Sequence, residues 1–154
     1  MNYAIGIDFG GTSIKSGLVL DGRILTRGRV IDTQDYGAPD AIIEALLNVV
    51  GELRAQARFL AGLGIGLPGI VDSVNGIVHE LTNVPGWQDV PVGALLRERT
   101  GLAVTVENDA NAMAYGEWKY GAARDARHVV CITLGTGVGG GLILDGRLYR
   151  GAQL

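Results

Sequence analysis

Four side chains able to hold a polyol or take a proton fall within five residues: Glu107, Asn108, Asp109 and Asn111. They follow the apolar run Ala103–Val106 and open a segment of helical character. The spacing therefore predicts a strand that hands over to a helix at Asn108 or Asp109 and runs to about Tyr120. Asn and Asp are preferred helix caps, and capping accounts for one such side chain. Four exceed that need. A carboxylate beside two amides at the C-terminal end of a strand can accept a hydroxyl proton and orient a polyol.

A second kind of chemistry is written twice. Gly11–Ile24 reads GTSIKSGLVLDGRI and Gly135–Leu148 reads GTGVGGGLILDGRL, aligned without a gap at an offset of 124 residues. Eight of fourteen positions are identical and three more exchange Ile, Leu or Val, which makes chance resemblance of two turns a poor explanation. Each copy follows a β-rich run, Tyr3–Phe9 or His128–Leu134. The unit reads strand, Gly-Thr loop, strand, Asp-Gly turn, strand. Asp-Gly between apolar runs signals a hairpin, because both residues tolerate the positive φ of a type I′ turn. A Gly-Thr loop offers bare N–H groups and a hydroxyl to an anion. Two of them predict two related lobes, each presenting a phosphate-holding hairpin.

Asp8 closes the first apolar strand, immediately before Phe9 and Gly10-Gly11-Thr12. A charge there needs a cation or donors to face. Mg²⁺, held through water beside phosphate oxygens, is one answer, and a solvated Asp on a surface hairpin is the other. The loop lacks the Walker spacing, and it precedes a strand where a dinucleotide fingerprint requires a helix. The Gly/Pro-rich stretch from Gly69 to Trp87 reads as one long loop. In it Asn83 and Trp87 either hydrogen-bond and stack on a sugar or merely cap a sheet edge. His79-Glu80 has no second His at zinc-binding spacing, so His79 reads as a solvated loop residue.

These loops need elements to hold them. Strands are expected at Tyr3–Phe9, Ile14–Leu20 and Arg23–Val30, then a helix from Pro39 to about Phe59, with Ile42, Leu46, Val49 and Leu53 on its apolar face. A short buried strand, Leu63–Leu67, stops at Pro68-Gly69, and a second helix spans Pro91–Thr100 before Gly101. His128–Leu134 and Gly141–Leu144 restart the meander. The order predicts an α/β lobe of ribonuclease-H type with a mixed sheet, over residues 1–122, and the beginning of a second such lobe over 123–154.

The chain has 154 residues, 47% hydrophobic and 19% charged, which suits a folded core. Its 25 glycines, more than twice the usual share of about 7%, cluster at strand ends, where close backbone approach to ligands is expected. A net charge of −3 gives no basic footprint, so no nucleic-acid partner is expected. Apolar runs are broken before a membrane-spanning length and no leader pattern opens the chain, so a cytoplasmic protein without a membrane partner is expected. The single cysteine, Cys131, reads as a buried small hydrophobe.

Taken together, IGIDFGGTSIKSGLV, GIGLPGIVD, LTNVPGW, VENDANAMAYGE and ITLGTGVGGGLILDGRLYRGA, in this order, resemble the ROK family of repressors, open reading frames and sugar kinases, from Tyr3 to Ala152. The resemblance implies the two-lobed fold of actin, hexokinase and Hsp70-type ATPases, and ATP-dependent phosphorylation of a hexose or amino sugar, glucose foremost. It implies Asp109 as the catalytic base, with Asn83, Asn108 and Gly69 beside it on the sugar. Gly10, Gly11, Thr12 and Lys15 would form one phosphate site and Gly135, Thr136 and Gly137 the other, with Asp8 near Mg²⁺. Family members continue beyond Arg-Gly-Ala into a Gly-Glu-x-Gly-His segment and a Cys-rich zinc motif. Neither is present, so no structural zinc is expected and the chain reads as the N-terminal half of a kinase. A poorly active fragment with exposed strands, associating as a homo-oligomer, is then expected. The rivals are a non-catalytic sugar-binding fragment and a sugar-sensing regulator, the latter disfavoured because the first phosphate strand begins at residue 3.

Overall fold

A computed structural model describes residues 3–81, 84–135 and 137–152. The expected opening meander is present as β1 (Tyr3–Phe9), β2 (Ser13–Leu20) and β3 (Arg23–Arg27), followed by a two-residue β4 (Ile31–Asp32) and a 3₁₀ turn over Thr33–Asp35. Helix α1 (Pro39–Arg54) leads to β5 (Leu60–Leu67). Helix α2 (Val92–Thr100) and β9 (Val104–Asn108) come after an intervening small sheet, and α3 (Asp109–Tyr120) follows β9 without a break. The main sheet has the order β3-β2-β1-β5-β9, with β4 on β2; the β1–β2 and β2–β3 pairs are antiparallel, and β5 runs parallel to β1 and β9. This is the mixed sheet the sequence predicts.

The period of two along each strand assigns the faces. Ile5, Ile7 and Phe9 of β1 and Leu63, Ile65 and Leu67 of β5 enter a core completed by Ile42, Leu46, Val49, Val50 and Leu53 of α1. Helix α1 begins with Pro39 in its first turn, a position where the missing N–H costs nothing. It ends at Arg54, not near Phe59. Gln56 and Ala57 donate to Leu53 and Arg54 in tight turns, so that the chain can enter β5 at Leu60, and Phe59 is left exposed. Helix α2 ends at Gly101, whose φ of 68° supplies the left-handed C-terminal conformation.

The other face of the main sheet carries α3, and glycine sets the spacing. A Cβ built on Gly66 would lie 3.4 Å from Ala112 Cβ and 3.5 Å from Asp109 Cα. The far side of the same helix meets a second antiparallel sheet of β10 (Val129–Leu134), β11 (Val138–Leu144) and β12 (Arg147–Tyr149). There a Cβ on Gly139 would come within 3.3 Å of Ala110 Cβ, and one on Gly141 within 2.8 Å of the Ala110 carbonyl oxygen. The expectation that strand-end glycines serve ligand approach is corrected at Gly141, which makes room for a helix. One face of the second sheet is covered in this way, with Ile143 buried, while Val130, Ile132, Leu134 and Val138 on the other are exposed. Cys131 is half-buried where full burial was expected, because its cross-strand partner is Gly141, which has no side chain to cover it.

The repeated cassette folds as a hairpin both times. Asp21 and Gly22 have φ of 50° and 78°, Asp145 and Gly146 of 51° and 69°, as type I′ geometry demands. The Gly-Thr ends are not identical. Phe9 and Ile14, which face each other, align with Thr133 and Val138, yet Val138 faces Leu134. The two loops differ by one residue in register.

The stretch Gly69–Trp87, expected as one loop, instead contributes β6 (Ile70–Asp72) and β7 (Ile77–Glu80), which form a small antiparallel sheet with β8 (Gln88–Val90). Asp72 closes the β6–β7 turn: its carboxylate accepts from the Val74 and Asn75 N–H groups at 3.0 Å and from Asn75 Nδ2 at 2.6 Å. His79 lies in β7, not in a loop, with Nδ1 2.6 Å from Asp89 Oδ1. Trp87 does not await a sugar. It is buried edge-on against Phe9, ring centroids 5.5 Å apart, because a large apolar ring gains more from the core than from the rim.

Two outcomes follow from this packing. Gly141→Ala should destabilise the chain by about 1–3 kcal/mol through overpacking against α3, whereas Gly137→Ala, with nothing near its built Cβ, should be close to neutral; urea denaturation of both variants checks the contrast. The Asp72 carboxyl is held below the ordinary carboxylate range, chiefly by the Asn75 side chain and then by the Asn75 N–H. Its folded value being depressed, its contribution is present above the unfolded carboxylate value and is lost as pH falls through the folded one. Asn75→Ala should move the Asp72 titration upward in a ¹³C NMR experiment, and an unmoved titration would dismiss Asn75 as the cause.

Candidate active site

The C-terminal ends of β1, β5 and β9 converge on an open cleft of about 910 Å³ beneath the β10–β11 loop. From the main sheet it is lined by Asp8, Gly11, Gly69, Asn108 and Asp109. Gly135 and Gly137 line it from the second sheet, with Thr133, Gly139 and Met113 completing the wall. Residues far apart in sequence are thereby brought together around one cleft. Gly10, Thr12 and Lys15 are not part of this lining. Asn83 and Thr136 lie outside the described residues.

Asn108 and Asp109 divide their labour. Asn108 is the N-cap of α3: its Oδ1 accepts from the N–H groups of Ala110 at 3.1 Å and Asn111 at 3.2 Å, and its Nδ2 points to the Gly69 carbonyl at 3.4 Å. Asp109 is the first helical residue, and its Oδ1 accepts from the Ala110 N–H at 2.8 Å. A carboxylate at that point is favoured by the helix N-terminus. It stays half-exposed and lines the cleft. Gly69 has φ of 85°, and a side chain there would collide with the Glu80 carbonyl. The backbone at Gly69 is therefore fixed beside Asn108.

Asp8 pairs with Gly66 in the β1–β5 register, and Gly66 is the residue over which Asp109 sits. Asp8 consequently shares the α3 face of the sheet, exposed to the cleft, with Lys15 opposite it on β2. Among the described residues no group of three or more His, Cys, Asp or Glu gathers as a metal cage. One carboxylate suits Mg²⁺ that takes its remaining ligands from water and phosphate. The loop glycines leave room for the anion expected of them: a Cβ on Gly11, Gly135 or Gly137 would meet nothing within 4 Å. Gly10 has a different reason. Its N–H donates to Ser13 O at 3.0 Å, and a Cβ would press on that oxygen at 2.8 Å.

Sequence reasoning missed two supports. Thr33, buried to 3% exposure, donates its hydroxyl to the Gly11 carbonyl at 3.1 Å, and its N–H to the Thr12 carbonyl at 3.0 Å, bracing the first loop from behind. No local pattern marks it, since the contact spans more than twenty residues. Glu107, one of the four clustered side chains, does not line this cleft. Its Oε1 accepts from Asn108 N–H at 3.0 Å and Asn111 Nδ2 at 3.2 Å, and its Oε2 from Arg150 Nε at 2.8 Å and Nη2 at 2.6 Å. No helix of the described residues is long and apolar enough to cross a membrane.

A family model described as ROK family matches residues 4–153. The glucokinase of Streptomyces coelicolor is 41% identical over 152 residues, covering 98% of this chain and 46% of that protein. The crystal structure of a ROK family glucokinase from Streptomyces griseus, in complex with glucose and AMPPNP, superposes with a TM-score of 0.86 at 38% identity, over 97% of this chain and 47% of that one. A ROK family transcriptional regulator, a homologue of the E. coli MLC protein, superposes with a TM-score of 0.87 at 28% identity, over 98% of this chain and 39% of that one. The chain spans about half the length of the curated relatives it matches. The fold is that of the actin and hexokinase type of ATPase.

Asn108 offers a direct check on the local geometry. Asn108→Ala should cost about 1 kcal/mol as a lost helix cap, and Asn108→Asp, which keeps an acceptor at the same place, should recover most of it. Urea midpoints of the two variants, compared with the parent, decide this.

Proposed function

The chain belongs to the ROK family, and we propose that it is the N-terminal half of a sugar kinase that phosphorylates a hexose, glucose foremost, at the expense of ATP. Residues 1–122 would form the first lobe and residues 123–154 the start of the second. One observation carries the reading: a half-exposed carboxylate at a helix N-terminus shares one cleft with two glycine loops from separate sheets. Phosphoryl transfer asks chiefly for positioning and charge stabilisation, and this kit supplies both.

In this reading Asp109 accepts the proton of the attacking sugar hydroxyl, while Asn108, the Gly69 backbone and Asn83 hold the sugar. Gly10, Gly11 and Thr12, with Lys15 behind them, receive phosphate oxygens on one side of the cleft, and Gly135, Thr136 and Gly137 on the other. Thr33 keeps the first loop in shape. Asp8 would hold a Mg²⁺ ion through water, and that ion, when bound, neutralises charge on the phosphates. Regulators share the fold, so the activity is what separates the two readings.

In a polypeptide of the relatives' length carrying this chain, glucose should be phosphorylated with ATP. Asp109→Asn should lower turnover on the order of 10²- to 10⁴-fold with sugar binding largely kept, as for loss of a general base. A coupled assay with calorimetric sugar titration reads both, and near-normal turnover would reduce Asp109 to a helix-terminal residue. The isolated chain should phosphorylate poorly. With Val130, Ile132, Leu134 and Val138 bare on one sheet face, it should also self-associate. Sedimentation at micromolar concentration tests that, and a lasting monomer would contradict it.

A further inference from the structure

Glu107 is the one buried charged side chain among the described residues, and it stands two positions before Asp109. Its two oxygens face different parts of the molecule. Oε1 gathers the Asn108 N–H and the Asn111 side-chain amide, so it holds the first turn of α3 from below. Oε2 receives Arg150 through both Nε and Nη2. Glu107 belongs to β9 of the main sheet, whereas Arg150 directly follows β12 of the second sheet. Neither residue lines the cleft that holds Asp109.

A pair with only a packing role gains little from being ionic, because apolar residues of similar volume do as well or better in such places. What an apolar pair cannot do is fix direction. Two donors of a planar guanidinium converging on Oε2 fix that oxygen, while Oε1 is held by Asn108 and Asn111, so the carboxylate is tied at both ends and sets the turn from which Asp109 projects. We infer that Glu107 and Arg150 form a positioning pair, through which the second sheet holds the Asn108–Asp109 turn in its working orientation. The inference rests on Asp109 as the proton acceptor. It makes the alignment of the base depend on the placement of the second sheet, so that the base is held in line only while both sheets embrace α3.

Glu107→Gln separates the two ends of the tie. The amide oxygen can still accept from Asn108 and Asn111, while its NH₂ meets the guanidinium donor to donor, so the Arg150 end alone is broken. In the relatives-length polypeptide, Glu107→Gln, Arg150→Met and the double variant should each lower kcat by about tenfold or more, with losses that do not multiply, as for residues acting as one unit. Melting temperatures are taken alongside. A lower melting temperature with kcat of the folded enzyme within about twofold of the parent would overturn the proposal.

Amide exchange on this chain provides a readout independent of activity. The Ala110 and Asn111 N–H groups should exchange about tenfold or more faster in Glu107→Gln, with Ile5 and Ile7 in β1 unchanged as the control for folding. Unchanged exchange at Ala110 and Asn111 would overturn the positioning role. If the parent enzyme phosphorylates no hexose while exchange does accelerate, the kinase reading fails and the tie between the sheets stands. Should Glu107→Gln not fold, Arg150→Met, altering a half-exposed side chain, is read by the same two measurements.

Discussion

Close approach of one helix to two sheets is the constraint on which the site depends. On the main-sheet side α3 rests over Gly66, and on the other side Ala110 and Ala114 rest over Gly139 and Gly141. Small residues meet bare backbone on both flanks, so the helix cannot be displaced sideways without opening a gap or driving atoms into contact. Its N-terminus is thereby pinned where β9 ends, and Asp109 is pinned with it. The cleft exists because the sheets that grip the helix part beyond that end, leaving Gly11 and Gly135 facing open space.

Against this frame the hydrogen bonds have a definite task. Asn108 turns the chain from strand to helix by accepting two N–H groups that have no intrahelical partner. Glu107 and Thr33 do not line the cleft. Each supports from behind a segment that does, the α3 turn in one case and the first glycine loop in the other. A half-buried acid with satisfied neighbours and a loop braced by a buried hydroxyl are thereby held in fixed positions.

Much of this was legible in the sequence because it is local. The Asp-Gly turns, the meander, the handover at Asn108 and the stop at Gly101 are each decided by a few adjacent residues, and the structure has them where the patterns put them. What was not legible depends on partners distant in the chain. Trp87 sits among turn residues, readable either as a sugar platform or as a cap on a sheet edge, but Phe9 draws it into the core. The strands of the small sheet are too short for a periodic signal, and only their pairing defines them. Thr33 and Arg150 have no pattern at all until the fold brings Gly11 and Glu107 to them. Among the glycines, Gly11, Gly135 and Gly137 border the cleft while Gly141 makes room for α3, since a missing side chain does not announce which neighbour will use the space.

The two Asp-Gly turns reach the same end of α3. Gly22 lies against the Tyr120 ring and Gly146 against Trp118, whose indole donates to the Ala126 carbonyl at 2.9 Å. The helix therefore works as a spindle, with the duplicated hairpins clasping its far end through aromatic rings, and β5 and β11 gripping its near end through alanines. Drift in this part of the sequence is confined by that clasp. A larger residue is resisted at Gly139 and Gly141, and the rings cannot shrink without loosening the turns. Change is absorbed more readily away from the clasp, in the small sheet and on the bare face of β10 and β11.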